Sequence, residues 1–407
     1  MLCGLLGKKL GHSYSPQIHS YLGNYSYVLF EKMQGELESF LKNGDFHGLN
    51  VTIPYKKEVL PFLDSLSDCA AALGAVNTIV RQPDGKLVGH NTDYYGFSSM
   101  LKKSSICVSG KKVLVLGSGG ASATVVAVLQ KENADVIVIS RSGKNNYENL
   151  HLHSDAAVIV NTTPVGMYPD VGVSPVDLNA FPHLEGVLDV VYNPARTQLL
   201  MDAEEKGIIT ENGLWMLVAQ AKESAEWFTG KEISNERISE IHQILRKQME
   251  NIILVGMPGC GKSTIGRMLA EQLHTKFIDA DTAIEASTGM SIPQIFAEHG
   301  EIGFRATEAL VLAELGKASG QVIATGGGCV TQQKNYRSLH QNGRIYWLMR
   351  DICHLPTEGR PLSQQNKLED MLHIRKPMYE SFADVQVDNN GSIEDTVERI
   401  LQMEELR

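Results

Sequence analysis

Cysteine is sparse in this sequence, and none of it falls in a paired motif. Six cysteines are scattered through 407 residues, with no C-x-x-C pair among them. This spacing indicates neither a zinc site nor the disulfide framework of an exported protein. We therefore expect the protein to work in a reducing cytoplasm. The cysteines are Cys3, Cys69, Cys107, Cys260, Cys329 and Cys353.

The sequence also lacks an excess of positive charge and any long apolar run. Lysine and arginine number 37 against 47 aspartates and glutamates, which gives a formal net charge of −10. Nucleic-acid-binding proteins usually carry a basic face, so this balance argues against a nucleic-acid partner. No apolar run approaches the ~18 residues of a membrane-spanning helix, and residues 1–10 lack the pattern of a signal peptide. We expect a soluble protein with small-molecule substrates.

A phosphate-binding loop lies in the second half of the chain. An apolar run of strand length ends at Gly256, and a helix pattern begins at Lys262. Gly256, Gly261, Lys262 and Ser263 match G-x-x-x-x-G-K-[ST], whose backbone N–H groups surround a polyphosphate while the Ser hydroxyl binds Mg²⁺. An ordinary strand-to-helix turn would not need Lys-Ser-Thr after its last glycine. The pattern therefore predicts a site for ATP and Mg²⁺.

A second glycine turn lies in the first half. A buried strand from Lys112 leads into Gly117-Ser-Gly-Gly-Ala121, although Ser122 stands at the third glycine position of G-x-G-x-x-G. The next strand ends in Arg141, where NAD-binding proteins usually have an acidic residue. Because a guanidinium pairs with a 2′-phosphate, we expect NADP here; the alternative is a surface arginine.

The rest of the first half contains polar residues whose positions are not explained by the hydrophobic pattern of a helix or strand. Ser15 before Pro16 is typical of a helix start with Ser15 as N-cap, which leaves Ser13 unexplained. Residues 74–93 predict a hairpin with its turn at Asp84-Gly85. Gln220 falls among the apolar positions of a helical pattern that ends at Gly230, so it needs a ligand or, equally, a backbone partner.

Acidic residues and glycines follow strands in the second half as well. Asp279 at a strand end is a natural second anchor for Mg²⁺, and Asp281 follows two residues later. The run Gly326-Gly-Gly328 lets a ligand lie against bare backbone. Arginines at 305, 360 and 375 would together clamp an anionic substrate.

Taken together, these motifs resemble two families of the shikimate pathway. Residues 1 to about 245 resemble shikimate dehydrogenase, and residues 251–407 resemble shikimate kinase. The dehydrogenase motifs are Ser-Tyr-Ser-Pro-Gln-Ile-His (13–19), Asn-Val-Thr-Ile-Pro-Tyr-Lys (50–56), Gly-Ala-Val-Asn-Thr (74–78), Asn-Thr-Asp (91–93), Gly-Ser-Gly-Gly-Ala (117–121), Asn-Thr-Thr-Pro-Val-Gly-Met (161–167) and Gly-Leu-Trp-Met-Leu-Val-Ala-Gln-Ala (213–221). The kinase motifs are the phosphate loop, Asp279-x-Asp281, Phe304-Arg305, Gly326–Gly328, Arg360 and Arg375.

The dehydrogenase resemblance implies a catalytic pair, Lys56 and Asp93. It places substrate contacts at Ser13, Ser15, Thr52, Asn77, Asp93, Tyr192 and Gln220. It places NADP(H) contacts at Gly117, Gly119, Gly120, Ala121, Ser140, Arg141 and Gly213.

The kinase resemblance assigns Lys262 to the phosphates, Asp281 to substrate hydroxyls and Arg360 to a lid. Further substrate contacts fall at Arg305, Gly327, Gly328 and Arg375. ATP contacts fall at Gly259, Cys260, Gly261, Lys262, Ser263 and Thr264, and Mg²⁺ ligands at Ser263 and Asp279.

The implied fold is α/β throughout. We expect a substrate-binding domain at 1–105, completed by helices of 213–245, a Rossmann-like NADP domain at 106–212, and a P-loop kinase domain with a parallel sheet at 250–407. The implied function is reduction of 3-dehydroshikimate followed by phosphorylation of shikimate. Two alternatives stay open: quinate as a substrate of the first half, and a regulatory protein that binds these metabolites without turning them over.

Overall fold

The fold is seen in a computed structural model that describes residues 1–11, 13–355 and 368–405. Contacts between Cα atoms divide the chain into two compact units. The first unit consists of Met1–Val165, Ser174–Tyr192 and Asp202–Ile244. The second consists of Gly166–Val173, Asn193–Met201 and Leu245–Arg407.

Strands and helices alternate along both units. The strands are β1 (Leu2–Gly7), β2 (Ser26–Glu31), β3 (Gly48–Val51), β4 (Ser65–Leu66), β5 (Thr78–Arg81), β6 (Leu87–His90), β7 (Lys112–Leu116), β8 (Asp135–Ile139), β9 (Val158–Asn161), β10 (Gly186–Asp189), β11 (Ile209–Glu211), β12 (Asn251–Val255), β13 (Lys276–Asp279), β14 (Gln321–Ala324), β15 (Gly343–Met349) and β16 (Val385–Asp388).

The helices are α1 (Ser15–Leu22), α2 (Leu37–Asn43), α3 (Asp68–Leu73), α4 (Asp93–Ser104), α5 (Gly120–Lys131), α6 (Gln198–Glu204), α7 (Leu214–Thr229), α8 (Glu236–Met249), α9 (Lys262–Gln272), α10 (Ala280–Thr288), α11 (Ile292–Lys317), α12 (Gln333–His340), α13 (Leu368–Phe382) and α14 (Ile393–Glu405). Within the described residues, no helix is long and apolar enough to span a bilayer.

The first unit contains two sheets. The first sheet has the order β2-β1-β3-β5-β6-β4 and mixes parallel and antiparallel pairs. Its antiparallel pair β5–β6 is the hairpin that residues 74–93 predict, with Gly85 at a φ of 86° in the turn. The second sheet is wholly parallel, in the order β11-β10-β9-β7-β8.

The second sheet has a topological switch point at β7. β7 pairs with β8 on one side and with β9 on the other, so the order of the strands along the chain reverses at β7. Ligands of open α/β sheets bind at such a switch point. The strand itself is buried: Val113, Leu114, Val115 and Leu116 are each 0% exposed. Burial on both faces explains why β7 is a continuous apolar run in the sequence.

The second unit repeats this arrangement on a separate sheet. Five parallel strands lie in the order β13-β14-β12-β15-β16, with β12 at the centre. Ile253, Leu254 and Val255 of β12 are fully buried, and they belong to the same apolar core as Tyr346 and Tyr379. The phosphate loop therefore follows the central strand, at the switch point of this sheet.

Candidate active sites

An ion pair joins Lys56 to Asp93 in the first unit. Lys56 follows β3 through a short turn, and Asp93 is the first residue of α4. The Lys56 Nζ lies 2.6 Å from the Asp93 Oδ2, with the two side chains 21% and 12% exposed. The positive end of the α4 dipole favours a carboxylate at this position. The result is a largely buried ammonium–carboxylate pair that can exchange a proton with a bound substrate.

Asn77 fixes the backbone immediately before Asp93. Its Oδ1 accepts a hydrogen bond from the Thr92 N at 2.7 Å, and its Nδ2 donates to the Thr92 Oγ1 at 3.0 Å. Asn77 and Thr92 are 3% and 1% exposed. Because both polar ends of the amide bind one residue, Asn77 holds the loop that delivers Asp93.

A hydroxyl on α7 joins the strands beneath this loop. The Ser224 Oγ accepts from the Asn50 Nδ2 at 2.7 Å and lies 2.9 Å from the hydroxyls of both Thr78 and Thr92. The Ser224 Oγ in turn donates to the backbone O of Gln220, four residues earlier on α7, at 2.9 Å. Ser224 is 0% exposed. No sequence motif identified this residue, because its partners are far away along the chain.

The N-terminal serines differ in one respect from the expectation. Helix α1 begins at Ser15 with Tyr14 in the N-cap position, and the Ser13 Oγ accepts from the Ser15 N at 3.2 Å. The prediction of Ser15 as the N-cap is therefore wrong: Tyr14 takes that position, and the Ser13 hydroxyl accepts from the N–H of Ser15. Tyr14 contacts Tyr192 edge to face, with ring centroids 6.2 Å apart.

Gln220 has a backbone hydrogen-bond partner, which was one of the two interpretations of this residue; the other was a ligand contact. Its Nε2 donates to the Leu217 O on the same helix at 2.8 Å, and the side chain is partly exposed. Thr52, also partly exposed, follows β3, and its N donates to the Leu6 O at 3.0 Å. Burial of Tyr192 raises the pKa of its phenol, with the Tyr14 phenol adding to the shift.

The glycine turn after β7 is open on its outer side. A Cβ atom placed on Gly119 or Gly120 would meet no other atom within 4 Å. The Ser122 Oγ donates to the Gly117 O at 2.8 Å, so the serine in place of a third glycine closes the turn. Free space beside the N-terminus of α5, where backbone N–H groups point outward, fits a pyrophosphate. Ala121 lies in the first turn of this helix.

Three further expected cofactor residues lie after β8 or before α7. Ser140 and Arg141 directly follow β8, with Arg141 exposed. Gly213 precedes α7, and its N donates to the Val191 O at 3.0 Å. An exposed guanidinium one strand away from the glycine turn is in the place that suits a ribose phosphate.

The phosphate loop of the second unit has the backbone that its motif predicts. Gly259 and Gly261 have φ values of 87° and 95°, a region that favours glycine. Helix α9 begins at Lys262, whose Nζ donates to the Gly256 O at 2.9 Å and to the Met257 O at 3.1 Å. The ammonium group therefore lies within the ring of the loop, where it can reach a phosphate held by the backbone.

The two expected Mg²⁺ ligands are in contact. The Ser263 Oγ donates to the Asp279 Oδ2 at 2.6 Å. The other carboxylate oxygen, Asp279 Oδ1, caps α10 by accepting from the N atoms of Asp281 and Thr282. Mg²⁺ is usually held by one or two protein oxygens together with waters and phosphates. An all-oxygen pair beside a phosphate loop fits that requirement, although the described residues contain no group of three or more His, Cys, Asp or Glu side chains able to hold a metal.

A buried charge cluster lies next to the loop. Burial raises the pKa of Asp281, and the Asp279 carboxylate adds to the shift, while Lys262 and Arg305 oppose it. The Arg305 Nη1 donates to the Glu308 Oε2 at 2.7 Å, with both residues buried. Burial likewise raises the pKa of Glu308, against the opposing effect of Arg305. The cluster offers acceptors and donors for a polar, anionic substrate.

The triple glycine lets this cluster approach the backbone closely. A Cβ atom at Gly328 would lie 2.1 Å from the Arg305 Nη2, and one at Gly326 would lie 2.9 Å from the Glu308 Oε1. The Gly327 O accepts from the Arg375 Nη1 at 3.1 Å and from the Tyr379 hydroxyl at 2.5 Å. A side chain at Gly326 or Gly328 would therefore displace the charged groups of this cluster.

One cavity of about 550 Å³ joins the phosphate loop, the charge cluster and the glycines. It is lined by eleven expected site residues: Gly259, Gly261, Lys262, Ser263, Thr264, Asp279, Asp281, Arg305, Gly327, Gly328 and Arg375. Cys260 is 0% exposed and does not line it. Arg360 lies outside the described residues.

Sequence reasoning missed part of this cavity. Glu308 lines it, as do Ile292, Pro293 and Phe296. The spacing of Arg305 and Glu308 on one helix could have identified Glu308, since residues three apart share a face. The apolar residues that line the cavity showed no comparable spacing in the sequence. Their helix α11 is interrupted at Gly300, which has a φ of 66°, so its face could not be traced from one continuous period.

The two sites define the class of protein. A Rossmann-type turn accompanies a buried lysine–aspartate ion pair in one unit, and a P-loop accompanies a serine–aspartate contact in the other. The chain therefore combines an oxidoreductase with a P-loop kinase.

Comparisons with known proteins name the families. The shikimate dehydrogenase substrate binding domain model matches residues 5–79, and the shikimate kinase model matches residues 258–405. The shikimate dehydrogenase (NADP(+)) of Clostridium perfringens is 35% identical over 267 residues, which cover 60% of this chain and 98% of that protein. That of Methanococcus maripaludis is 37% identical over 257 residues, covering 56% and 92%.

Solved structures give the same result for the dehydrogenase part. A chorismate mutase/shikimate 5-dehydrogenase fusion protein from Clostridium acetobutylicum is 37% identical with a TM-score of 0.58, covering 60% of this chain and 97% of that one. Shikimate 5-dehydrogenase from Thermus thermophilus, in complex with NADP(H) and shikimate, is 31% identical with a TM-score of 0.54, covering 60% and 99%. The chain belongs to the shikimate dehydrogenase family, and a shikimate kinase domain is fused to its dehydrogenase part.

Proposed function

We propose that the chain catalyses two consecutive reactions, reduction of 3-dehydroshikimate to shikimate with NADPH and phosphorylation of shikimate with MgATP. The observation that carries the proposal is a pair of interacting polar side chains in each unit. Lys56 and Asp93 lie 2.6 Å apart in the unit that contains the glycine turn of 117–121, and Ser263 and Asp279 lie 2.6 Å apart beside the phosphate loop. The product of the first reaction is the substrate of the second.

In the dehydrogenase site, bound NADPH would supply the hydride. Lys56 would place its ammonium at the ketone oxygen and deliver the proton to the forming alkoxide, and Asp93 would orient that ammonium. Asn77 holds the loop before Asp93 through Thr92. We assign the remaining ring hydroxyl and carboxylate contacts to Ser13, Ser15, Thr52, Tyr192 and Gln220.

The cofactor of this site would be NADP rather than NAD. Gly117, Gly119, Gly120 and Ala121 would hold the pyrophosphate at the N-terminus of α5. Ser140 and the exposed Arg141 would bind the 2′-phosphate, and Gly213 would lie against the cofactor. The curated relatives above carry NADP(+) in their names, which supports this assignment.

In the kinase site, bound MgATP would supply the phosphoryl group, and the protein would contribute position and charge. Lys262 and the N–H groups of 259–264 would hold the phosphates, and Ser263 and Asp279 would hold the metal. Asp281 would orient the accepting hydroxyl, while Arg305, Arg375, Gly327 and Gly328 would surround the substrate. We retain Arg360 as a lid residue on the resemblance alone.

Three broader assignments accompany these reactions. The working domains would be 1–105 with 213–245, then 106–212, then 250–407. The net charge of −10 supports small molecules rather than nucleic acid or an anionic membrane surface as partners. All six cysteines are free, which supports a cytoplasmic location.

The proposal is tested by following the two reactions separately on the purified chain. NADP⁺ reduction with shikimate reports the first site, and ADP release from MgATP with shikimate reports the second. Lys262→Ala should abolish ADP release while NADP⁺ reduction continues unchanged. Arg267→Ala, on the same helix, is the matched control and should keep both reactions. Equal ADP release by Lys262→Ala and the unmodified chain would contradict the proposed kinase site.

A further inference from the structure

One carbonyl of the phosphate loop accepts from a side chain that no motif identified. Cys260 lies between Gly259 and Gly261, and its O accepts a hydrogen bond from the Asn389 Nδ2. Cys260 and Asn389 are each 0% exposed. A buried carbonyl oxygen needs a donor, because it has given up its hydrogen bonds to water. Asn389, far away along the chain, supplies that donor.

Backbone and side-chain contacts together fix the Asn389 amide. Asn389 directly follows β16, and its N donates to the Met349 O at the end of β15 at 2.8 Å. Its Oδ1 accepts from the Thr396 Oγ1 on α14 at 3.0 Å. The Cys260 carbonyl can only accept, so the NH₂ end of the amide must face the loop and the oxygen end must face Thr396. The side chain therefore has one orientation and is held at both ends.

The bond to Cys260 sets the direction of the Gly261 N–H. The Cys260 O and the Gly261 N–H belong to one planar trans peptide, so they point in opposite directions. Gly261 lines the cavity of about 550 Å³, whereas Cys260 and Asn389 do not. With its oxygen held toward Asn389 in the core, this peptide presents its N–H on the cavity side, where the phosphates of a nucleotide would lie.

Glycine makes this peptide easy to turn over when nothing holds it. Rotation of a peptide changes ψ of the residue before it and φ of the residue after it, which here is Gly261 with a φ of 95°. Glycine adopts positive and negative φ about equally readily. The turned peptide would aim the Cys260 oxygen at the cavity, and a carbonyl oxygen repels the phosphate that an N–H attracts. Asn389 opposes that rotation.

We propose that Asn389 is a positioning residue for the nucleotide: it holds the Cys260–Gly261 peptide so that the Gly261 N–H donates to a phosphate oxygen. This role rests on the proposed kinase reaction, which supplies the identity of the nucleotide. Asn389 acts through the loop, because the two ends of its amide are bound to Cys260 and Thr396. Its loss should therefore weaken nucleotide binding and leave the affinity for shikimate unchanged.

The deciding variant is Asn389→Leu, which removes the donor at nearly constant side-chain size. Thr396 keeps an acceptor in this variant, since its Oγ1 also lies 3.2 Å from the Ser392 O. The dissociation constant of MgADP, measured by calorimetric titration of the full chain, should rise about tenfold or more, the factor for one hydrogen bond to a charged group. The KM for MgATP should rise by a similar factor, with the KM for shikimate and the rate of NADP⁺ reduction unchanged.

The matched control is Asn335→Leu. Asn335 is 1% exposed, and its Nδ2 donates to the Cys329 O at 2.8 Å in the same unit. This substitution removes the same kind of bond, from a buried asparagine to the carbonyl of a cysteine, away from the phosphate loop. Both variants should lower the thermal midpoint of the second unit, but only Asn389→Leu should weaken MgADP binding.

Equal MgADP affinity in Asn389→Leu and the unmodified chain would overturn the proposal. So would an equal loss in Asn335→Leu, which would show a general effect of lower stability. If Asn389→Leu gives no cooperative melt, Asn389→Ala is titrated in its place and judged by the same two comparisons. Failure of the unmodified chain to bind MgADP would overturn the kinase assignment and this role together, whereas normal binding by the unmodified chain with no change in the variant overturns only the role of Asn389.

Discussion

Lys56 and Asp93, 37 positions apart in the chain, meet as a 2.6 Å ion pair at the N-terminus of α4. The pair is held from behind by Asn77, through both polar groups of Thr92. Lys56 comes from the turn after β3, Asn77 directly precedes β5, and Asp93 begins α4. The position of each charge is therefore set by tertiary structure, and the pair can stay in place while a ketone is reduced beside it.

Lys56→Ala should lower dehydrogenase turnover by roughly 10²–10⁴, the range for a positioned acid–base group. ADP release by the second unit should stay normal in the same preparation. Lys57→Ala, at the exposed neighbouring lysine, is the control and should keep both activities. Shikimate oxidation near the unmodified rate in Lys56→Ala would remove Lys56 from the mechanism.

Arg141→Asp should lower kcat/KM for NADP and reduce the ratio of kcat/KM for NADP to that for NAD. The guanidinium attracts a 2′-phosphate, whereas a carboxylate repels it and accepts from a free ribose hydroxyl. The measurement is kcat/KM for both cofactors with saturating shikimate. Lys231→Asp makes a similar charge change at another exposed site and should leave the ratio unaltered. Equal use of NADP and NAD by the unmodified chain would refute the assignment.

Ser224→Ala should reduce both the stability of the first unit and dehydrogenase activity. The change removes the partner that Asn50, Thr78 and Thr92 share, although each keeps another hydrogen bond, and a lost hydrogen bond costs about 0.5–1.5 kcal/mol. Because Thr92 positions Asp93, we expect kcat to fall more than KM rises. A Thr229→Ala control loses a similar back-bond to Ala225 on the same helix without touching these strands. Identical kinetics in the two variants would show that Ser224 has no positioning role.

Asp281→Asn should stabilise the second unit at neutral pH while lowering kinase turnover by about 10² or more. Between the ordinary pKa of aspartate and the raised pKa of Asp281, the folded chain binds more protons than the unfolded chain. Stability therefore falls as pH rises through that window, and asparagine avoids the loss. The gain in Tm, about 2–4 °C for each kcal/mol in a domain of this size, should disappear at acid pH.

The control for this prediction is Glu271→Gln, an exposed carboxylate on α9. Thermal melts of both variants from pH 3 to 8 separate a specific effect of Asp281 from a general effect of net charge. A Tm difference between Asp281→Asn and the unmodified chain that stays constant across this range would contradict a raised pKa in the folded state.

Local chemistry made much of this structure predictable. The phosphate loop places α9 at Lys262 as the motif predicts, and the hairpin turns at Asp84-Gly85. Both features depend on residues close together in the chain, where turn geometry and glycine conformations decide the outcome. The contact of Ser263 with Asp279 was also predictable from the sequence. Asp279 ends β13 and Ser263 follows the loop after β12, and parallel strands place their carboxyl ends at one edge of the sheet.

Features that depend on distant packing were not predictable. Ser224 contacts Asn50, which lies 174 positions away in the chain, and nothing in either local pattern indicates the other.

Two local features were also not settled by the sequence. The Ser15 cap was predicted wrongly because Ser13, two residues earlier, places an oxygen at the same end of the helix. Gln220 had two open interpretations, and only the observed bond to Leu217 shows that the backbone satisfies its Nε2.

The most direct test of two consecutive activities in one chain is a coupled assay. Purified chain is mixed with 3-dehydroshikimate, NADPH and MgATP, and both NADPH loss and ADP release are followed over time. The account predicts that NADPH loss begins at once, that ADP release follows after a lag and approaches equimolar yield, and that omitting NADPH prevents it. NADPH loss without ADP release, or silence of both signals, would contradict the account.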